Sequence, residues 1–134
     1  MAGVPFIKHM DGNVMPVLDI LVDEVGIDGL HSLEPAAGID IAEVKKKYGK
    51  RLVLLGNLDC GQLLTHGTQE QIDGQVRRIL SQASPGGGHV FTSSNCIHHA
   101  VPYKNLHSMV QSLRSYGSYP IVESNGKVGG GGPA

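Results

Sequence analysis

Four times along this 134-residue chain a short apolar run stops at polar residues and gives way to a stretch with helical periodicity. The runs are expected as buried strands over 4–8, 27–33, 51–55 and 89–92. They stop at His9-Met10-Asp11-Gly12-Asn13, Glu34-Pro35, Gly56-Asn57-Leu58-Asp59 and Ser93-Ser94-Asn95-Cys96. Strands that alternate with helices through short loops are parallel and joined by right-handed crossovers. Two architectures satisfy this order: an open doubly wound sheet, or part of a closed eight-stranded barrel.

The helical stretches carry their own punctuation. Over 15–25, Val17, Leu18, Leu21, Val22 and Val25 recur at helical spacing, with Pro16 in the first turn and Gly26 as the C-terminal stop. Asp40 and Glu43 have capping-box spacing before a helix that runs to Tyr48 and stops at Gly49. Thr68 and Gln71 repeat the box, and Ile72, Val76, Ile79 and Leu80 form the buried stripe of the helix they open. After Val101-Pro102 a last helix runs to about Tyr116 with Leu106, Met109, Val110 and Leu113 inward. Residues 1–120 thus read as one domain, and 121–134 as a flexible Gly-rich tail.

Composition narrows the partners. Eleven Lys and Arg against twelve Asp and Glu give a net charge of -1, which offers neither a nucleic-acid surface nor a polybasic membrane anchor. No stretch approaches a membrane span, and the N-terminus lacks the apolar core of a signal peptide. Cys60 and Cys96 lie too far apart for a metal knuckle, so the expectation is a cytoplasmic protein with free thiols. There is no Gly-x-Gly-x-x-Gly after a strand and no Walker lysine; Gly86-Gly87-Gly88 precedes a strand and reads as a turn.

In parallel βα architectures ligands collect at the carboxyl ends of the strands. Here those ends carry His9 and Asp11, His31 and Glu34, Asn57 and Asp59, and Ser93, Ser94 and Asn95. Singly, each is a cap or turn residue. Four polar ends in register, two of them with histidine and carboxylate together, point to one shared site.

The segments HMDGN, GIDGLHSLEPAAGIDI, RLVLLGNLD and SSNCIHHAVPYKN resemble the C-terminal half of the uroporphyrinogen decarboxylase family, whose superfamily includes corrinoid-dependent methyltransferases. The resemblance covers residues 4–120 and implies a partial (βα)8 TIM barrel, a half-barrel of the four C-terminal βα units. It implies an enzyme fragment: a lyase removing a tetrapyrrole carboxylate in porphyrin biosynthesis, or a methyltransferase using a corrinoid methyl donor. The N-terminal half of such a site lies outside this chain. On this reading His9, Asp11, Asn57, Asp59 and Asn95 are catalytic candidates, and His31, Glu34 and Ser94 line the substrate. Asn95 falls where the decarboxylases have a histidine.

In the methyltransferase branch zinc is held by His-x-Cys, an acidic residue and a late Cys. Here His9 and Glu34 match, while Asp11 and Asn95 stand where thiolates would be, and Cys96 is one residue late. His9, Asp11 and Glu34 remain as a nitrogen–oxygen set for a divalent metal, zinc or a harder cation. Without metal, His9 and Asp11 form an acid–base pair. The rival from another class is a non-catalytic half-barrel that self-associates as a homo-oligomer or joins a partner half, because a four-stranded sheet leaves two edges and an apolar face open. His66, His89, His98, His99 and His107 read as surface or packing residues, Lys45-Lys46-Lys47 as charges suited to a helix C-terminus, and Cys60 as a small loop residue.

Overall fold

The computed structural model describes residues 3–121. Its core is one parallel sheet in chain order, β1 (Ile7–Met10), β2 (Gly29–Ser32), β3 (Val53–Leu58) and β4 (His89–Ser93). All three pairings are parallel, with His9 opposite His31 and Asn57 opposite Thr92. Helices α2 (Ile41–Tyr48), α4 (Gln69–Ala83) and α5 (Tyr103–Tyr116) occupy the crossovers and the end, as the sequence predicts. No helix among the described residues is long and apolar enough to cross a membrane. The tail expected from 121 lies outside the described residues except Ile121, which packs against the core.

Alternation along the strands sorts residues between two faces. Leu30, Leu54 and Leu58 point to the helices and are fully buried. Val14, Leu18 and Val22 from the first crossover, Val44 and Tyr48 from α2, and Ile72, Val76 and Ile79 from α4 cover them. Burying one such side chain is worth about 1.5–3 kcal/mol, so this face supplies most of the driving force. On the concave face Ile7, Val53 and Val90 remain 51%, 37% and 49% exposed. Gly56 leaves no room for a side chain beside β2: at φ 151°, an added Cβ would lie 2.7 Å from the Ser32 carbonyl oxygen.

Several boundaries differ from expectation. Strand β1 begins three residues later than read and ends two later, so His9 lies inside it. Strand β3 continues to Leu58, which takes Asn57 into the sheet. The first crossover is a 3-10 turn (Met15–Val17), a short α1 (Leu18–Ile20) and a π-helical turn (Leu21–Val25), closed by Gly26 at φ 72° as predicted. A four-residue helix, α3 (Leu63–His66), is additional. The Thr68–Gln71 capping box forms, whereas Asp40 accepts from the Ala42 amide at 2.9 Å without the reciprocal Glu43 bond, and Glu43 stays at the surface.

Helix α5 departs most from its expected packing. Met109 and Leu113 meet the core, but its buried residues are Asn105 and Ser112, and Leu106 and Val110 stay half-buried. Its seam with α4 is polar: Ser112 donates to Asp73 at 2.7 Å, Asp73 pairs with Arg77 at 2.9 Å, and the Arg77 guanidinium lies 4.1 Å from the Tyr116 ring centre.

Candidate active site

The carboxyl ends of β1, β2 and β4 converge on one cluster. His9 and His31, opposite each other on neighbouring strands, both project from the concave face, and their Nδ1 atoms meet at 2.7 Å. The other nitrogen of His31 lies 3.2 Å from the Ser93 carbonyl oxygen. The other nitrogen of His9 lies 3.3 Å from Asp11 Oδ1, with both side chains about half exposed. Asn95 donates its amide to the same carboxylate oxygen at 2.9 Å, and the Ser32 hydroxyl lies 3.4 Å from it. Glu34 accepts from the Gly12 amide at 2.9 Å, which ties the loop after β1 to the loop after β2.

Hydrogen-bond direction sets the proton inventory of this chain. A carbonyl oxygen only accepts, so His31 Nε2 donates to Ser93. A neutral His31 then has a bare Nδ1, to which His9 Nδ1 donates. The His9 Nε2 contact with Asp11, at 3.3 Å, is an ion pair only when His9 is protonated. The two histidine bonds use one proton from each neutral ring, and a further proton on His9 would sit on Nε2, beside the Asp11 carboxylate.

Of the sequence candidates, His9, Asp11, His31 and Asn95 are brought together, with Glu34 bracing the adjoining loop. Three others are placed elsewhere. Asn57 is buried, with its amide on the Leu33 carbonyl at 2.9 Å. The Asp59 carboxylate accepts from the amides of Gly61, Gln62 and Leu63 at 2.8–3.3 Å and so holds the start of α3. Ser94 is buried against Cys60, accepting from its amide at 3.4 Å and lying 3.7 Å from its sulfur. Ser32 and the Ser93 carbonyl were not singled out from sequence as parts of the proton chain. The signal for Ser32 was its neighbour, since a residue paired with Met10 beside Asp11 is within reach of that carboxylate.

For metal, His9, Asp11 and Glu34 do not form a common ligand set. Among the described residues no group of three or more His, Cys, Asp or Glu side chains is disposed to hold an ion, and Glu34 is engaged with backbone. Cys60 is buried and Cys96 exposed, both as free thiols.

The model of the uroporphyrinogen decarboxylase family matches residues 1–116. This chain belongs to the uroporphyrinogen decarboxylase family. It is 30% identical to the uroporphyrinogen decarboxylase of Shewanella halifaxensis over 112 residues, covering 79% of this chain and 31% of that protein. With the enzyme of Methylobacillus flagellatus it shares 32% identity over 117 residues, covering 83% and 32%. A solved methyltransferase from Methanosarcina mazei superposes with a TM-score of 0.71 at 25% identity, covering 87% of this chain and 32% of that one. The family member described here therefore spans about a third of the length of the curated relatives it matches. Its sheet is four βα units of a TIM-type barrel, and the convergent cluster lies at the end where such barrels hold their sites.

Proposed function

We propose that these residues form one wall of the active-site mouth of a decarboxylase acting on a tetrapyrrole carboxylate, with His9 as the proton donor. The observation that carries this is the Asp11–His9–His31–Ser93 chain, which holds the half-exposed His9 imidazole beside a carboxylate. Decarboxylation breaks the bond to the carboxylate carbon, releases carbon dioxide and leaves an electron pair on the remaining carbon. That carbon must then take a proton. A half-exposed imidazole, oriented by His31 and, once protonated, charge-balanced by Asp11, can supply it. Asn95 anchors Asp11, so the carboxylate stays beside His9 when the proton leaves. Both cysteines are free, which fits a reducing, cytoplasmic setting.

Methyl transfer from a corrinoid is the second reading, favoured by the likeness to the methyltransferase structure. Against it stand Asp11 and Asn95, oxygen and nitrogen groups at the positions where that branch places thiolates. The assay uses the complete barrel containing these residues. Carbon dioxide release from uroporphyrinogen supports decarboxylation, and methylation of a thiol from a methylcorrinoid supports the second reading. Failure of both removes both. In the decarboxylation assay His9→Ala is expected to lower kcat about 10²–10⁴-fold with little change in substrate binding.

A further inference from the structure

The cluster around His9 and Asp11 draws on the ends of β1, β2 and β4, and β3 lies between two of these contributors. Both neighbours are fastened to its end. On the β2 side Asn57 donates its amide to the Leu33 carbonyl at 2.9 Å. Leu33 stands between Ser32, whose hydroxyl is 3.4 Å from Asp11 Oδ1, and Glu34, which accepts from the Gly12 amide. On the β4 side the Leu58 carbonyl accepts from the Ser94 amide at 2.7 Å. Ser94 stands between Ser93, whose carbonyl faces His31, and Asn95, which donates to Asp11. Each fastening falls on the residue midway between two that hold the cluster.

The Asn57 bond matters because of the residue it reaches. Leu33 has φ 55°, a left-handed conformation that a bulky residue keeps only when its surroundings hold it. Its side chain is fully buried, and its carbonyl is taken by Asn57, itself 3% exposed. Relaxation of Leu33 toward an ordinary φ would turn Glu34 relative to Ser32. The two would then no longer reach the Asp11 loop together.

We propose that Asn57 is a positioning residue for the Asp11–His9 pair, acting through Leu33 on Ser32 and Glu34. It works at one remove, without touching the pair, and its role in turnover rests on the reading of His9 as the proton donor. Loss of its amide frees Leu33, parts the loop carrying Asp11 from Glu34, and leaves His9 without a fixed carboxylate.

The test uses the complete barrel containing these residues. Asn105→Ala serves as the comparison, since Asn105 is another buried asparagine that donates to main-chain carbonyls, outside the cluster. Asn57→Ala is expected to speed hydrogen exchange at the Gly12 amide about tenfold, read by NMR with labelled glycine, and Asn105→Ala to leave it unchanged. Asn57→Ala should also lower kcat for decarboxylation about 10–100-fold at unchanged KM. With Asp11→Ala already present it should cost no further activity, because the group it positions is gone. Asn57→Leu keeps the volume and lacks the donor, so it should behave alike where the alanine variant folds poorly. Unchanged Gly12 exchange in the Asn57 variants, the same acceleration in Asn105→Ala, or an equal kcat loss in the Asp11→Ala background overturns the proposal. Absence of decarboxylation in the unaltered barrel overturns the reading of His9 instead, and Gly12 exchange then decides the placement alone.

Discussion

His9 and His89 show how position decides what an imidazole does. His9 is half exposed on the concave face, between the His31 ring and the Asp11 carboxylate. His89 is turned to the helix side, between the Ser84 hydroxyl at 2.8 Å and the Gly56 carbonyl at 2.8 Å. Burial, more than the nearby Lys45 charge, pushes its pKa below the ordinary histidine value and outweighs the opposing pull of the Gly56 carbonyl. The folded state thus binds this proton less readily than the unfolded one. The resulting stability is present above the unfolded histidine value, about 6.5, and is lost as pH falls below it toward the folded pKa. Urea denaturation between pH 8 and pH 5 should show this loss, and His89→Gln should flatten that part of the profile. An unchanged slope in the variant would remove His89 as its source.

Among the helices, α5 has no fully buried apolar side chain, and it depends on one polar side chain at its start. Asn105 is buried and donates to the Leu64 carbonyl at 2.9 Å and the Gly67 carbonyl at 3.1 Å, fastening α3 and its following loop to α5. Its own Oδ1 has no partner. Asn105 is the third residue of the helix, from which a side chain ordinarily reaches back to the cap amide, but Pro102 at the cap has none. Asn105→Ala would leave two carbonyls without their donor and is expected to cost about 2–3 kcal/mol by urea denaturation. Asn105→Asp should cost more, since it sets a carboxylate oxygen against those carbonyls. The α4 stripe was legible because its period, cap and stop all agree. The mixed 3-10, α and π turns of the first crossover were not, since Val17, Leu18, Leu21, Val22 and Val25 suit an ordinary helix equally well. Nor was α3, which at four residues is too short to show a period; its signal was Asp59, whose strand-end position reads alike for a ligand and for a cap.

At the scale of the whole molecule, parallel topology was legible from the four alternations, and the convergence of His9, Asp11, His31 and Asn95 followed from it. Asn57 and Ser94 escaped because a strand-end position does not say which neighbour a side chain meets. The Asn57 amide is taken by the Leu33 carbonyl, and the turn after Ser93 lays Ser94 on Cys60. The two thiols offer a way to watch the mouth itself. Cys60 is shielded beneath Ser94, whereas Cys96 is exposed immediately after the asparagine that holds Asp11. A maleimide dye should therefore label a single position in the folded protein, and its emission would report any molecule that settles over the cluster, with no substitution needed to install the probe.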